Sequence, residues 1–352
     1  MELYEVNQEL HYKGDLTMAN VTRDLFIGLS NSKLLNKSAK KWGFRLGAEK
    51  FVAGTNLESA VETIKELNNH GISTTLDNLG EFVAERSEAT EAKNQVLYIL
   101  DKLHEQGLNS HVSVKLTQLG LDIDKGFCLD NLREILIKAL EYDVFVNLDM
   151  EKYVHYQKTL DVLQELHKDY KNIGTVMQTY LYRTLDDLED LKDVRLRIVK
   201  GAYKESEEVA FQSKEEIDVN YLEVVKQRLL GNAFTSIATH DHKLIDEVKR
   251  FAIENNIDKD KFEFQMLYGF RVEMHYALAE EGYNFCTYIP FGDDWFGYFM
   301  RRLAERPQNV NLVLKDTFYT NDNTLKKGPI IAGIAAITSI AYLVTRNSRK
   351  DN

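Results

Sequence analysis

Eight short β-rich runs that alternate with amphipathic helical segments are the feature that most limits how this chain can fold. The runs cover residues 73–76, 111–116, 144–150, 174–179, 195–199, 235–239, 262–266 and 285–289. Each run is too continuously apolar for a strand with one face in water, as expected for a parallel sheet covered by helices. Eight such repeats predict a (β/α)8 barrel. A doubly wound dinucleotide-binding sheet is disfavoured, because no GxGxxG turn follows an early strand.

The helical segments between these runs have recognisable starts and ends. Asn56 is a candidate N-cap for a helix with one apolar face, which Gly71 ends. Gly107, Gly231 and Gly282 also follow helical patterns, and each is predicted to be a left-handed C-cap. The other helical patterns cover residues 95–106, 129–141, 156–170, 217–230, 243–256 and 272–281.

The chain divides into three predicted regions. Residues 1–70 form an N-terminal helical region, residues 71–310 the barrel, and residues 311–352 a linker with a hydrophobic tail. Residues 330–344 are nearly all apolar and have basic residues on both sides, although a helix of this length spans only roughly 23 to 26 Å. We predict that the tail attaches the protein to a membrane, as a short span or an embedded segment.

The net charge, the cysteines and the first residues of the chain indicate which kind of molecule the protein binds and in which cellular compartment it lies. The net charge of −11 argues against a nucleic-acid-binding protein, because a phosphate backbone requires a basic face. Cys128 and Cys286 have no CxxC spacing, which fits a reducing compartment. The first residues lack the basic and apolar blocks of a signal peptide. We therefore predict a cytoplasmic protein that is peripherally attached or tail-anchored to the cytoplasmic membrane.

Polar side chains collect at the carboxyl ends of the predicted strands, where barrel enzymes place their reactive groups. A ring of such groups from nearly every strand predicts a lined pocket rather than incidental surface polarity. These residues are Asp77, Lys115, Asp149, Glu151, Gln178, Arg197, Lys200, Thr239, His240, Asp241, His242, Gln265 and Tyr288.

Two adjacent arginines, Arg301 and Arg302, follow the last run on a short helical pattern. Paired guanidinium groups form a receptor for a carboxylate or phosphate. The alternative is a solvated pair in which Arg302 contacts Glu305 on the helix surface.

The residues alone leave several chemistries open. Lys115 or Lys200 could form a Schiff base, which predicts a lyase of the aldolase type. His240 and His242, two residues apart, imitate a metal-ligand pair, but the other seven histidines fall in helical segments, in the N-terminal region or at the opposite strand end. A membrane-tethered barrel that binds a ligand without turnover is a third possibility.

Four segments in order resemble the proline dehydrogenase family. They read VKLTQLG at 114–120, RIVKGAY at 197–203, FEFQMLYG at 262–269 and RRLAE at 301–305, and the resemblance covers about residues 70 to 310. It implies a flavoenzyme with a distorted (β/α)8 barrel and no metal site. Such an enzyme oxidises L-proline to Δ1-pyrroline-5-carboxylate by hydride transfer to N5 of FAD, and passes the electrons to membrane quinone.

The resemblance also implies roles for individual residues. Lys115, Arg301 and Arg302 bind the proline carboxylate, Tyr288 and Leu267 cover the ring, and Asp149 and Glu305 orient Tyr288 and the arginines. Arg197 lies near flavin N5. The other residues implied to hold FAD are Gln178, Lys200, Gly201, Ala202, Tyr203, Thr239 and His240. The chain departs from the family at two positions: Lys204 stands where some relatives have Trp, and Asp241 where many relatives have Asn.

Overall fold

The computed structural model describes residues 48–80 and 83–305, without the side chains of residues 303–305. The chain divides into two compact units, one formed by Phe51–Asp293 and the other by Met1–Lys50 with Asp294–Asn352. Most of the predicted N-terminal helical region, the linker and the hydrophobic tail lie outside the described residues. Within the part of the chain that is described, no helix is both long and apolar enough to span a membrane.

Eight parallel strands form a closed barrel in sequence order, and the last strand pairs with the first. This confirms the predicted (β/α)8 fold. The strands are β1 (Ser73–Asn78), β2 (Ser110–Lys115), β3 (Val146–Asp149), β4 (Ile173–Gln178), β5 (Arg195–Val199), β6 (Thr235–Ala238), β7 (Phe262–Leu267) and β8 (Asn284–Phe291).

Helices connect consecutive strands around the outside of the barrel. A short α-helix between β4 and β5 was not predicted. The helices are α1 (Leu57–Asn69), α2 (Arg86–Glu105), α3 (Lys125–Glu141), α4 (Tyr153–Leu166), α5 (Thr184–Asp187), α6 (Lys214–Leu229), α7 (His242–Glu254), α8 (Val272–Glu280) and α9 (Trp295–Glu305), with 3₁₀ turns at Ala48–Lys50 and Lys259–Lys261.

Helix α1 follows its sequence pattern closely. The Asn56 side chain accepts a hydrogen bond of 3.0 Å from the amide of Ser59, which confirms Asn56 as the N-cap. Its predicted apolar face, which includes Ile64, is buried. Gly71, Gly107 and Gly282 have positive φ angles of 72°, 62° and 80°, as expected for left-handed caps. The same prediction for Gly231 was wrong, because its φ is not positive.

The predicted boundaries were least accurate where polar residues occupy a helix start. Helix α2 begins at Arg86, whereas the sequence pattern placed its start at residue 95. The first turns were missed because they carry few apolar residues. A capping box still fixes that start: the Glu85 side chain accepts from the N3 backbone amide, while the Glu88 carboxylate accepts from the amide of Glu85. Strand β3 is shorter than predicted, with four residues, all buried.

The strand side chains separate two environments. Alternate residues such as Val112, Leu148 and Ile198 belong to the apolar core between the strands and the helices. The residues between them point into the barrel, and many of these are polar or charged. Gly174 has no room for a side chain, since a Cβ there would lie 2.2 Å from the carbonyl oxygen of Arg195 on the neighbouring strand.

Candidate active site

Two buried ion pairs lie inside the barrel at the carboxyl ends of its strands. The Nζ of Lys115 is 2.9 Å from each carboxylate oxygen of Asp77 and 3.9 Å from Oδ2 of Asp149. Lys115 and Asp149 end neighbouring strands and are paired in register, which places their side chains side by side. Such buried charges persist only when they are compensated and hydrogen-bonded.

Arg197 on β5 forms the second pair. Its Nη1 donates to Oδ1 of Asp149 at 2.7 Å, and Nη2 donates to the hydroxyls of Ser113 at 3.0 Å and Thr75 at 3.3 Å. The Asn147 amide also donates to Asp149 Oδ1, at 3.1 Å. The guanidinium is thus held from several strands, and its plane cannot rotate without breaking these bonds.

Tyr288 on β8 connects the two pairs. Its hydroxyl oxygen is 2.7 Å from Oδ2 of Asp77 and 2.7 Å from Oδ2 of Asp149. The Arg197 guanidinium carbon lies 5.2 Å from the centroid of the Tyr288 ring. Burial, together with the two nearby carboxyl groups, raises the pKa of Tyr288 well above its ordinary value, so the phenol remains protonated. We call Asp77, Lys115, Asp149, Arg197 and Tyr288 the mouth cluster.

The two carboxyl groups of the mouth cluster have different surroundings. Burial raises the pKa of Asp77 above its ordinary value of 3.8, the Lys115 ammonium opposes that effect, and the charge of Asp149 adds to it. Asp77 is 1% exposed and receives one ammonium group, whereas Asp149 is 9% exposed and receives a guanidinium and an amide. A proton added to this cluster is therefore held more readily by Asp77.

Buried amide oxygens lie at the ends of β4 and in β7. Oε1 of Gln178 and Oε1 of Gln265 have no hydrogen-bond partner among the described residues, although the amide nitrogens of both side chains donate. A buried acceptor without a donor is unfavourable, so each of these oxygens could accept a hydrogen bond from water or from an N–H or O–H group of a ligand.

His240 follows β6 and is held by the next strand. Its Nε2 accepts a hydrogen bond of 3.0 Å from the amide of Leu267, and its ring is 5.3 Å from that of Phe270. Thr239 is buried beside it, and its hydroxyl accepts from the Asp241 amide at 3.1 Å. The sequence pattern placed His240 and His242 side by side on one strand. This was wrong, because β6 ends at Ala238 and His242 begins α7.

The segment after β5 carries the remaining predicted cofactor residues, Lys200, Gly201, Ala202 and Tyr203. Lys200 forms an ion pair with Asp218 of α6 and lies 3.9 Å from Asp241. Gly201 has φ of 119°, and a Cβ there would lie 2.4 Å from the Tyr180 ring.

Asp241 has a local role that accounts for its position. Its carboxylate accepts a hydrogen bond of 3.0 Å from the amide of Lys243 as the N-cap of α7. Asn is an equally good N-cap, which explains why either residue fits at this position.

The two predicted arginine ligands lie on α9, in the second compact unit. Both side chains are partly buried, and the guanidinium carbon of Arg302 is 4.9 Å from the centroid of the Tyr298 ring. Glu305 ends this helix, and its side chain lies outside the described residues. The assignment of Arg301, Arg302 and Glu305 to substrate binding therefore stays a prediction.

A second polar cluster fills the opposite, amino-terminal end of the barrel. Glu263 accepts hydrogen bonds from Arg195 at 2.9 Å, Ser236 at 2.6 Å and Gln265 at 2.6 Å. The Arg195 guanidinium carbon is 4.4 Å from the ring centroid of Phe145 and 4.3 Å from that of Phe234. We call Arg195, Glu263, Ser236 and Gln265, with the neighbouring His111 and Cys286, the floor cluster.

The floor cluster includes three potential metal ligands. One ligand atom from each of His111, Glu263 and Cys286 lies within 4.8 Å of the other two. Burial, and then the charge of Arg195, lower the pKa of His111 to about 4, and burial raises the pKa of the Cys286 thiol. Because Arg195 already compensates Glu263, a cation placed among these ligands would lie beside a guanidinium group.

The sequence predicted most residues of the mouth cluster but not which of them contact one another. Of the mouth cluster, Lys115, Asp149, Arg197 and Tyr288 had predicted roles, and the structure brings these four together. Asp77 was noted only as a strand-end residue. Alternation along β1, which points Thr75 and Asp77 to the same side of the strand, is the signal that could have identified it.

A closed parallel barrel with buried charges at the carboxyl ends of its strands defines an enzyme of the (β/α)8 class. The proline dehydrogenase family model matches residues 60–314. Proline dehydrogenase 2 of Bacillus subtilis (strain 168) is 48% identical over 297 residues, which are 84% of this chain and 98% of the relative. Proline dehydrogenase of Deinococcus radiodurans is 42% identical over 283 residues, which are 78% and 90% of the two chains. The chain therefore belongs to the proline dehydrogenase family and is an enzyme of that family.

A solved structure gives the same result for the fold. Proline utilization A from Bdellovibrio bacteriovorus, inactivated by N-propargylglycine, superimposes with a TM-score of 0.71 at 26% identity. The match covers 90% of this chain and 38% of that longer chain. Family membership argues against the Schiff-base lyase, and Lys115 lies between two carboxyl groups as a cation.

Proposed function

We propose that the enzyme oxidises L-proline to Δ1-pyrroline-5-carboxylate with FAD as hydride acceptor, and that the electrons pass on to quinone. Membership of the proline dehydrogenase family supports the substrate. The observation that carries the proposal is the mouth cluster, which holds two cations at the end of the barrel where substrates of this fold bind.

The substrate is small, and its carboxylate is its strongest anchor. Lys115 presents an ammonium group that two carboxyl groups already hold in place, so little side-chain freedom is lost when a ligand binds. Arg301 and Arg302 are proposed to complete the carboxylate site, and Glu305 to orient them. Leu267, partly exposed at the end of β7, is proposed to contact the ring together with Tyr288.

The described residues fit FAD at one point. An isoalloxazine ring has an imide N–H, which matches the unpaired amide oxygen of Gln178 at the carboxyl end of β4. Gly201 lies against the Tyr180 ring with a positive φ, so a larger residue there would disturb this segment. The other residues proposed to hold the cofactor are Arg197, Lys200, Ala202, Tyr203, Thr239 and His240.

When bound, FAD would supply the hydride acceptor for the oxidation of proline at C5. The protein orients the substrate and excludes water. Hydride leaves more readily from a carbon attached to a neutral amine, so we expect turnover to rise between about pH 6 and about pH 9. A flat profile, with the chemical step limiting, would contradict this expectation.

A flavin spectrum tests the proposal directly. We expect the purified protein to be yellow, and anaerobic L-proline to bleach its flavin absorbance. Lys115→Met should slow bleaching by about a hundredfold, because the carboxylate loses a cation. Lys93→Met is the matched control, because Lys93 is also a buried lysine in an ion pair, but on α2. A colourless protein, or a flavin that proline leaves oxidised, would reject the proposal.

The arginine pair has its own test. Arg302→Met should raise KM for proline by tenfold or more, on the order expected for a lost charged contact, while FAD stays bound. An unchanged KM, or loss of the flavin instead, would refute the assignment of Arg302 to the substrate.

We propose that the tail attaches the enzyme to the cytoplasmic membrane, where quinone is available. The support is the apolar run at residues 330–344 and the basic residues around it. Deletion of residues 328–352 should leave proline oxidation with a soluble dye intact and abolish vesicle binding. Equal vesicle binding by the truncated protein would reject the anchor.

A further inference from the structure

The hydroxyl of Tyr288 has one hydrogen but two acceptors. Its oxygen lies 2.7 Å from a carboxyl oxygen of Asp77 and 2.7 Å from one of Asp149. If both carboxyl groups were ionised, the phenol could donate to only one of them. The other contact would bring two oxygen lone pairs together at hydrogen-bond distance without a proton between them. The geometry therefore requires one more proton than the phenol supplies.

The surroundings decide which carboxyl group holds that proton. Asp149 accepts charge-assisted and neutral hydrogen bonds from Arg197 and Asn147, which stabilise its ionised form. Asp77 faces Lys115 on β2 and Tyr288 on β8, with the charges of Asp149 on β3 and Arg197 on β5 nearby. It is the more deeply buried of the two, and its charged hydrogen-bond donor is the Lys115 ammonium, whereas Asp149 accepts from the Arg197 guanidinium.

We propose that Asp77 is a positioning residue that is held as a neutral carboxylic acid in the resting enzyme. Its hydroxyl donates to the oxygen of Tyr288, whose own hydrogen then points to Asp149. Lys115 still donates to the Asp77 carbonyl oxygen at 2.9 Å. The hydrogen bonds therefore have one direction, from Asp77 through Tyr288 to Asp149.

The proton changes the charge that a substrate meets. Lys115 and Arg197 each lie in an ion pair, which favours their cationic forms. With Asp77 neutral, these two cations outnumber the single anion Asp149, and the mouth cluster has a net charge of about +1. An anionic carboxylate is attracted to such a site. If Asp77 loses its proton, the cluster becomes neutral and Lys115 is bound more strongly by its own carboxylate. This inference rests on the proposed function only in taking a carboxylate as the ligand.

Infrared spectroscopy of the flavin-loaded enzyme without proline tests the proton itself. We expect a carbonyl band of a protonated carboxyl group in the wild type that is lost in Asp77→Asn. Glu263→Gln is the control, because the pKa of Glu263 is below its ordinary value and its loss should leave the band unchanged. A band that survives in Asp77→Asn, or that is lost in Asp149→Asn instead, would overturn the assignment.

Ligand binding tests the consequence. The probe is a five-membered-ring carboxylic acid with oxygen in place of the ring nitrogen, so the ligand has no amine to titrate. In the wild type, Kd should rise with pH by up to about tenfold per pH unit above the ionisation of Asp77. In Asp77→Asn the profile should be flat over that range. Parallel profiles in the two proteins would refute the proposal.

The infrared and ligand-binding experiments still test the proposal if a variant fails to fold or if the protein does not oxidise proline. If Asp77→Asn does not fold, titration of the infrared band in the wild type still tests the proposal: the band must disappear over the pH range in which Kd rises. The infrared band does not depend on proline turnover. A protein that shows the band but is not bleached by proline would reject the proposed function and leave the protonation of Asp77 in place.

Discussion

Both ends of the barrel bury carboxyl groups, but the two ends compensate these charges differently. In the floor cluster, one carboxylate meets one guanidinium, and Glu263 accepts three hydrogen bonds while two phenyl rings cover Arg195. In the mouth cluster, two carboxyl groups, two cations and a phenol share their contacts. In the floor cluster the one carboxylate is matched by one cation, whereas the mouth has two cationic groups and, at the same end of the barrel, the unpaired amide oxygen of Gln178.

Because of this difference, we expect substitutions in the floor cluster to affect mainly stability and substitutions in the mouth cluster to affect function as well. A buried ion pair whose partners are all present contributes little net stability, but removing one partner is costly. At the floor, that cost is the main consequence of any change, because no ligand is expected there. At the mouth, a change also alters the charge that a substrate meets. Matched substitutions at the two ends should therefore give different phenotypes.

The largest effect is expected at the floor. Arg195→Met leaves Glu263 buried without its cation and should lower the free energy of unfolding by about 3–5 kcal/mol. Denaturant unfolding measures it, and turnover per bound flavin should stay near the wild-type value. The double variant with Glu263→Gln should recover most of the loss, because no buried charge then lacks a partner. If the double variant is no more stable than the single one, the ion pair is not the cause.

At the mouth, the equivalent substitution should affect activity first. Arg197→Met should lower kcat/KM for proline by about a hundredfold to a thousandfold, the range for loss of a preorganised charged donor. Its effect on stability should be smaller than at the floor, because Asp149 keeps a second cation, Lys115, at 3.9 Å. Steady-state kinetics on flavin-loaded protein measures this, with Arg195→Met as the control. Equal losses of activity in the two variants would remove the distinction between the ends.

The two ends should also respond to pH with opposite signs. Burial alone would raise the pKa of Glu263, but Arg195 and the other partners hold it below its ordinary value of 4.5. Its stabilising contribution is therefore complete above about pH 4.5 and is lost as the pH falls through the folded-state pKa. The pKa of Asp77 is raised above 3.8, so its contribution is complete below that pH and is lost as the pH rises through the folded-state pKa.

Two variants measure those signs. The stability deficit of Glu263→Gln should shrink as the pH falls, whereas Asp77→Asn should gain relative to the wild type as the pH rises. Each difference should change in the stated direction as the pH passes through the folded-state pKa of the group. Unfolding free energies at several pH values, compared with the wild type, give the result. Differences that change with the same sign would show that one of the two pKa directions is wrong.

The smallest effect concerns metal. Dialysis against a chelator should leave Tm and proline turnover unchanged, because Arg195 already supplies the positive charge that Glu263 needs. A lower Tm accompanied by stoichiometric release of a metal would instead show that His111, Glu263 and Cys286 hold an ion. Cys286→Ser would then reduce the metal content and identify the site.

The barrel could be predicted from the sequence because the evidence for it is repetitive. Each β-rich run is apolar, and N-caps and glycines mark many helix ends, as at Asn56 and Gly107. Helix starts rich in polar residues gave no such signal, so the first two turns of α2 were missed. The sign of φ at Gly231 could not be predicted from the residue type, since glycine adopts positive and negative φ equally well.

The candidate site was predicted in its residue types and not in its pairing. Strand-end positions identified Lys115, Asp149 and Arg197, because parallel strands meet at one edge. Which carboxyl group meets which cation depends on side-chain directions across the barrel, and these depend on register. The contact of Tyr288 with Asp77 joins residues 211 positions apart, and no local pattern encodes it.

That separation in sequence has a consequence for biosynthesis. Among the described strands, β8 is the last to emerge during translation, and it pairs directly with β1. Until it docks, the barrel has an open seam, and Asp77 and Asp149 lack the phenol that they share in the folded protein. A ribosome-bound chain that stops before residue 284 cannot assemble the mouth cluster. A ligand that depends on the complete mouth cluster can therefore bind only after β8 has docked.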